Sequence, residues 1–300
     1  MSIELSGLVA AVFTPMRGDG ALNLAVAGDY VSLLAERGVG GILPCGTTGQ
    51  FPALSVDERQ AVAEAFVEAA ADKMPVVVHV GCDSIDSARR LAAHAADIGA
   101  DAIAALPPSY LKPPDLDAVV DWYQRLSEAA PQTPLFYYHI PSLTGVELSV
   151  LQLLRKAIGR VATLAGVKYT HEALDEYALC VDEFGDRLQI LFGRDETLLS
   201  ALVVGATGAI GSCYNFASPL YRRLWDAFNA GDLTAARKDQ LKAIRLINTL
   251  KGYGYPAASK SCMKLLGIDC GPPRPPFKPL TAEQESALGE DLTALGLINP

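Results

Sequence analysis

The chain is poor in positive charge. Its 300 residues carry 25 Lys and Arg against 34 Asp and Glu, a formal net charge of -9 with only four His. That balance argues against non-specific nucleic-acid binding, which needs a basic footprint. It leaves an anionic small molecule open as a substrate, because the field inside a cleft can oppose the global charge. His79, His94 and His171 are scattered and form no H-E-x-x-H or other ligand spacing, so no protein-bound metal is expected. The six cysteines include no C-x-x-C pair, which fits reduced, mostly buried thiols in a reducing compartment. No Walker A motif or dinucleotide fingerprint occurs, and Gly38 to Gly41 lacks the required spacing. No uncharged run approaches the length needed to span a bilayer. Met1 to Ser6 lacks a basic stretch with a cleavable apolar core behind it. The expectation is a soluble cytoplasmic protein without nucleic-acid or membrane partners.

What the chain does have is a core-forming composition, 50% hydrophobic and 20% charged. Short β-rich runs alternate with amphipathic helical stretches. The runs are Leu8 to Thr14, Gly40 to Pro44, Pro75 to Val80, Ala102 to Leu106, Pro134 to Ile140, Val161 to Lys168, Leu188 to Phe192 and Ala209 to Ser212. Asn23 is a candidate N-cap for a helix from Leu24 to Arg37, and Ser55-Val56-Asp57-Glu58 has the capping-box pattern. Eight βα units in a stretch of about 200–250 residues predict an α/β fold of the (β/α)8 TIM-barrel class. A doubly wound open sheet is the alternative, but it usually carries a Gly-rich fingerprint after its first strand, and none follows Leu8 to Thr14. The barrel is expected over residues 1–231 and a C-terminal helical extension over residues 232–300. Helical patterns in the extension lie near Thr234 to Lys251, Ala257 to Leu266 and Thr281 to Leu295, and the proline-rich linker Cys270 to Pro276 cannot be helical. The extension reads as an element for packing or oligomerisation.

Barrel enzymes place their chemistry at the C-terminal ends of the strands. Gathered there are Thr47 and Thr48, Tyr110, Tyr137 to His139, Lys168 to Thr170, Gly193 to Glu196, and Ser212, Tyr214 and Asn215. Lys168 closes the otherwise uncharged segment Thr163 to Val167, which should be buried on both faces. Desolvation disfavours an ammonium, and a neutral amine is the group that attacks a ketone to form a Schiff base. The segment by itself also fits a strand-end lysine pointing into solvent, since perturbed lysines are rare. Gly46-Thr47-Thr48-Gly49 fits either a tight turn or a backbone nest for a carboxylate. Tyr137 and Tyr138 point to opposite faces of a strand, so at most one is catalytic. Asp195 and Glu196 open a helix and suit its dipole as well as they suit a substrate. His139 fits a satisfied polar residue better than a catalyst.

In this order the residues resemble a known family, the lysine-dependent pyruvate aldolases that include N-acetylneuraminate lyase and dihydrodipicolinate synthase. The resemblance runs from Ala11-Val12-Phe13-Thr14-Pro15 to the eighth strand. Its most specific parts are Gly46-Thr47-Thr48-Gly49 followed by Leu54-Ser55-Val56-Asp57-Glu58-Arg59, and Tyr138-His139-Ile140-Pro141 ahead of Gly166-Val167-Lys168. The synthases carry an arginine just before a Thr-Gly pair where this chain has Leu143 before Thr144-Gly145. Phe192-Gly193-Arg194-Asp195-Glu196 and Gly211-Ser212-Cys213-Tyr214-Asn215 are similar to the neuraminate-lyase branch. One position departs from the family. Gln50 follows the Gly-Thr-Thr-Gly turn, where glutamate is usual.

The resemblance implies roles. Lys168 would be the Schiff-base nucleophile, and Tyr138 would move the proton of the substrate's C4 hydroxyl. Tyr110 would reach the site of an adjacent subunit and orient Tyr138 there. Thr47 and Thr48 would hold the keto-acid carboxylate, and Thr170 the amide-bearing part of the substrate. Gly193, Asp195, Glu196 and Ser212 would grip a hydroxyl-rich tail. The implied reaction is reversible cleavage of a sialic acid to pyruvate and N-acetylmannosamine by a homotetramer, with no cofactor beyond the lysine. Three readings compete with it: a Schiff-base aldolase or dehydratase for another 2-keto-3-deoxy sugar acid, a dihydrodipicolinate-synthase-like enzyme, and a non-catalytic sugar-acid-binding protein.

Overall fold

A computed structural model describes residues 3–297. Every β-rich run supplies one short strand: β1 (Gly7–Ala11), β2 (Gly41–Leu43), β3 (Val77–His79), β4 (Ala102–Ala105), β5 (Leu135–His139), β6 (Leu164–Tyr169), β7 (Gln189–Phe192) and β8 (Gly208–Gly211). Several strands are shorter than the runs that predict them. The last residues of those runs leave the ladder and become the loops of the barrel's C-terminal rim. Neighbouring strands pair in parallel in the order β2-β1-β8-β7-β6-β5-β4-β3. A parallel bridge between Ile42 and Val76 joins the two outer strands, so the sheet closes into a (β/α)8 barrel without free edges.

The barrel helices are α1 (Ala27–Glu36), α2 (Val56–Ala70), α3 (Ile85–Asp97), α4 (Leu116–Ala129), α5 (Pro141–Thr144), α6 (Val150–Ala157), α7 (Leu174–Phe184), α8 (Leu198–Val203) and α9 (Tyr214–Asn229). The capping box before α2 forms as its pattern predicts: the Glu58 amide donates to Ser55 Oγ, and Glu58 accepts from the Ser55 amide. Asn23 does not act as a side-chain cap. A 3-10 turn over Leu24–Val26 precedes α1, and the Asn23 side chain makes no capping bond to it.

Alternation along the strands separates two cores. Val9, Ala11, Leu43, Val77, Ala102, Ala104, Phe136, Leu191 and Ile210 fill the barrel interior. Their neighbours pack outward under the helices. Tyr137 is one of these, meeting Tyr123 of α4 edge-on with ring centroids 5.3 Å apart. Tyr138 and Lys168 therefore face inward together, in direct register on β5 and β6.

The helical patterns beyond the barrel become α10 (Leu233–Gly252), α11 (Tyr255–Leu265) and α12 (Ala282–Ala294). The position expected to divide barrel from extension, residue 231, lies in the turn between α9 and α10. The proline-rich linker between α11 and α12 passes over the C-terminal rim rather than away from it. Gly271 sits at φ 63°, and a Cβ there would lie 1.9 Å from the Met16 carbonyl oxygen, so only glycine permits this approach. Lys260 of α11, itself buried, donates to the carbonyls of Thr14, Cys270 and Pro272 and ties the linker to the β1 loop. Burial pushes the Lys260 amine down to about 8.

Gly166 makes room for the interior aromatic beside Lys168. A Cβ on it would lie 2.2 Å from the Gln189 carbonyl oxygen and 2.6 Å from the Phe136 ring. Gly166→Ala should therefore lose about 1–3 kcal/mol of stability by overpacking. A lower urea midpoint with an unchanged m-value is the expected result.

Candidate active site

A cavity of about 520 Å³ opens at the C-terminal end of the barrel. Thr47, Thr48, Tyr138, Lys168, Thr170 and Ser212 lie on its wall, together with Gly193. Seven of the residues singled out from the sequence are thus brought together. A second cleft, about 420 Å³ at the opposite end of the barrel, holds Glu4, Asp186 and Arg187 but no lysine, tyrosine or histidine. Among the described residues no group of three or more His, Cys, Asp or Glu side chains is placed to hold a metal ion. None of their helices is long and apolar enough to cross a membrane.

Lys168 is 4% exposed, and its Nζ stands 4.1 Å from the centre of the Tyr138 ring. None of the ion pairs among the described residues includes it. The amine is held by apolar strand walls and an aromatic face, with its tip toward the cavity. On the far side of Tyr138, His79 meets the phenol ring edge-on at 6.0 Å. His79 is fully buried, and burial together with nearby Arg59 holds its imidazole well below the ordinary histidine range. It is therefore a neutral support for Tyr138 rather than a source of charge.

The Gly46–Gly49 turn is bracketed by left-handed residues, Cys45 at φ 59° and Gln50 at φ 55°. The amides of Thr47 and Thr48 donate to no backbone carbonyl among the described residues, so they are free to receive an anion. Thr47 Oγ1 lies 3.3 Å from the Tyr138 hydroxyl, linking the turn to the phenol. Across the cavity, Thr170 Oγ1 is buried without a hydrogen-bond partner. A Cβ on Gly193 would lie 1.9 Å from it, which explains glycine at that position. Ser212 Oγ lies 2.7 Å from the Tyr255 hydroxyl.

Three of the predicted site residues lie off the cavity wall. Asp195 sits behind Gly211, where a Cβ would meet Asp195 Oδ1 at 1.8 Å. Its Oδ2 accepts from the Cys213 amide at 2.8 Å, and Oδ1 has no partner. Glu196 faces Arg194 at 3.5 Å and Lys251 at 3.6 Å. Tyr110 is 88% exposed, and its amide donates to Asp83. His139 is on the outward face with Tyr169 and His171, away from the cavity, and burial pushes its imidazole down to about 3.

Sequence reasoning missed part of the wall. Tyr255 and Pro256 at the start of α11, and Pro275, Pro276 and Phe277 of the linker, all line the cavity. Only the proline-rich composition of that linker hinted at a fixed segment. Gln50 explains how it is fixed. Its side-chain amide donates to the Arg274 carbonyl at 3.2 Å, and its carbonyl accepts from the Arg274 amide at 3.1 Å. A carboxylate at residue 50 lacks the donor for the first of these bonds. The Arg274 guanidinium then pairs with Glu58 and holds that carboxylate down at about 2.

The dihydrodipicolinate synthetase family model matches residues 4–295. The chain belongs to that family. It is 40% identical over 301 residues to the N-acetylneuraminate lyase of Pongo abelii, covering 99% of this chain and 94% of that protein. It is 41% identical over 300 residues to the N-acetylneuraminate lyase of Xenopus tropicalis, covering 98% of each. The solved N-acetylneuraminate lyase of Proteus mirabilis superposes with a TM-score of 0.95 at 35% identity, over 99% of this chain and 100% of that one. Within the family, the exposed Leu143 stands where the resemblance to the synthases calls for arginine.

Asp195 gives a pH signature. Burial is the main cause that pushes its carboxyl up to about 6, against the opposing Cys213 amide. The folded protein therefore keeps a proton that the unfolded chain releases near its ordinary value of about 4. The stabilising effect of that proton is full below about pH 4 and is lost as pH rises through about 6. Asp195→Asn removes the dependence. The stability of the variant relative to the parent should climb by on the order of 3 kcal/mol from pH 4 to pH 7. Urea unfolding at the two pH values checks this, and a constant difference would contradict it.

Proposed function

We propose that the protein is a Schiff-base aldolase that cleaves N-acetylneuraminate reversibly to pyruvate and N-acetylmannosamine. The observation that carries the reading is the buried Lys168 amine held beside the Tyr138 ring in a cavity that also presents Thr47 and Thr48. The family membership and the names of the relatives support it.

The chemistry follows from the geometry. Thr47 and Thr48 receive the carboxylate of the open-chain keto acid. The Lys168 amine attacks the neighbouring keto carbon, and loss of water leaves an iminium. The iminium accepts the electron pair of the C3–C4 bond as that bond breaks. The C4 hydroxyl must lose its proton in the same step. Tyr138 takes that proton as its own moves toward Thr47 Oγ1, 3.3 Å away, and the carboxylate bound beside it. The aldehyde product leaves, the proton taken from the C4 hydroxyl returns through Tyr138 to C3 of the enamine, and water adds to the resulting iminium to release pyruvate and the free Lys168 amine.

Thr170 and Ser212 line the part of the cavity beyond Lys168, where the substrate's polar middle and tail would extend. The unpartnered Thr170 Oγ1 suits the amide-bearing carbon. Asp195 acts through Gly211 and the Cys213 amide in this reading, shaping the tail pocket from behind together with Glu196 and Gly193. Tyr110 serves a neighbouring subunit in a cytoplasmic homotetramer. In support, Tyr110, Leu111 and Leu143 are 88%, 80% and 64% exposed, an unusual display of large apolar side chains at one rim. Sedimentation should give four times the chain mass.

The test is pyruvate release over a panel of keto sugar acids. N-acetylneuraminate should be the preferred substrate, and preference for a shorter keto acid would overturn the reading. Tyr138→Phe should lower kcat by at least about 100-fold. Near-normal turnover would remove Tyr138 from the proton path.

A further inference from the structure

The cavity has two unlike sides. The barrel side carries the polar groups, from the Thr47–Thr48 turn through Lys168 and Thr170 to Ser212, set among the apolar Ala11, Phe13, Ile140 and Ile210. The roof comes from the C-terminal extension and is apolar, built of Pro256, Pro275, Pro276 and Phe277 with Pro52 and Ala53 beside them. A hydroxyl-rich chain gains nothing from such a roof, because each hydroxyl turned toward it gives up a hydrogen bond to water.

The position of the roof says which part of a substrate meets it. At one side it is anchored to Gln50, which follows the carboxylate turn, through the paired bonds to the Arg274 backbone. At the other it begins at Tyr255, whose hydroxyl lies 2.7 Å from Ser212 Oγ at the end of β8. The segment therefore spans the mouth between the carboxylate end and the tail end of the site. In a nine-carbon keto acid bound this way, the group beneath the span is the substituent midway along the chain. In N-acetylneuraminate that substituent is the acylamino group, the one part of the molecule with an apolar methyl. Phe277 is 46% exposed at this mouth, so a large ring is left uncovered where that methyl would lie.

The roof is also held in place, as a recognition surface must be. The Arg274 guanidinium donates to the carbonyls of Gly20 and Ala53 besides pairing with Glu58. Lys260 secures the start of the linker through three carbonyls. Pro275 and Pro276 precede Phe277 and fix the backbone that leads to it.

Resting on the aldolase reading above, we propose that Pro275, Pro276 and Phe277 form the wall that receives the substrate's acyl group. Phe277 is then a specificity-determining residue and Gln50 a residue that positions it. The wall selects against a hydroxyl in place of the acetamido group, and against a hydroxylated acyl group.

The experiment compares kcat/KM for N-acetylneuraminate with that for the same keto acid bearing a hydroxyl in place of its acetamido group. A methyl-sized group in an apolar pocket is worth about 10-fold or more in such ratios. Phe277→Ala should reduce the preference for the acetamido compound about 10-fold, mainly through KM. Phe277→Leu should restore most of it. A preference unchanged within about twofold in Phe277→Ala would overturn the proposal. The unmodified protein gives a second measure that needs no variant: the N-acetyl compound should be cleaved more efficiently than the N-glycolyl compound. Equal or better use of the N-glycolyl compound would overturn the proposal as well. Failure to cleave any of these compounds would instead overturn the aldolase reading on which it rests.

Discussion

The site depends on the desolvation of one amine. Lys168 occurs where β6 reaches the rim, with strand neighbours on both sides and the Tyr138 ring as its nearest polar-tipped partner. The side chain is buried and has no carboxylate partner among the described residues. The barrel tolerates it because the side chain ends in a cavity, where a bound anion or a covalent bond to a substrate can take the place of hydration. The other site groups are arranged around that end. The Gly46–Gly49 turn lies on one side, and Thr170 and Ser212 lie on the other.

A second buried lysine shows why burial alone is not the criterion. Lys260 is as buried as Lys168, and burial pushes its amine down to about 8. Yet its three hydrogens are all directed at carbonyl oxygens of the β1 loop and the linker. It does not line the cavity that holds Lys168. Lys260 is a structural tie, and what it ties is the segment that roofs the site. The extension therefore works with the barrel. It supplies one side of the cavity and is locked to the Gly46–Gly49 turn through Gln50 and Arg274.

The barrel was readable from the sequence because its signals are local. Eight apolar runs, most with proline or glycine stops, specify eight strands, and alternation puts Tyr137 and Tyr138 on opposite faces without saying which faces inward. Lys168 was readable as the only charge in its strand. The roof was not readable, because it depends on contacts between residues more than two hundred positions apart, such as Gln50 with Arg274. Nothing in the local pattern of Pro272 to Phe277 says that it folds back over the rim. The depth of Asp195 was hidden for a similar reason. Its carboxylate is covered because Gly211 lacks a side chain, and the two residues come from different strand ends. Gln50 first reads as a lost charge, and its purpose becomes visible only with the backbone of Arg274 beside it.

The central claim is that Lys168 forms a covalent bond with a keto acid, and reductive trapping tests it most directly. The protein is incubated with pyruvate and borohydride, digested, and its lysine-containing peptides are weighed. One stable three-carbon adduct is expected, on Lys168, and none in a Lys168→Ala variant. An adduct on Lys260 or any other lysine, or an unlabelled protein that still releases pyruvate, would contradict it.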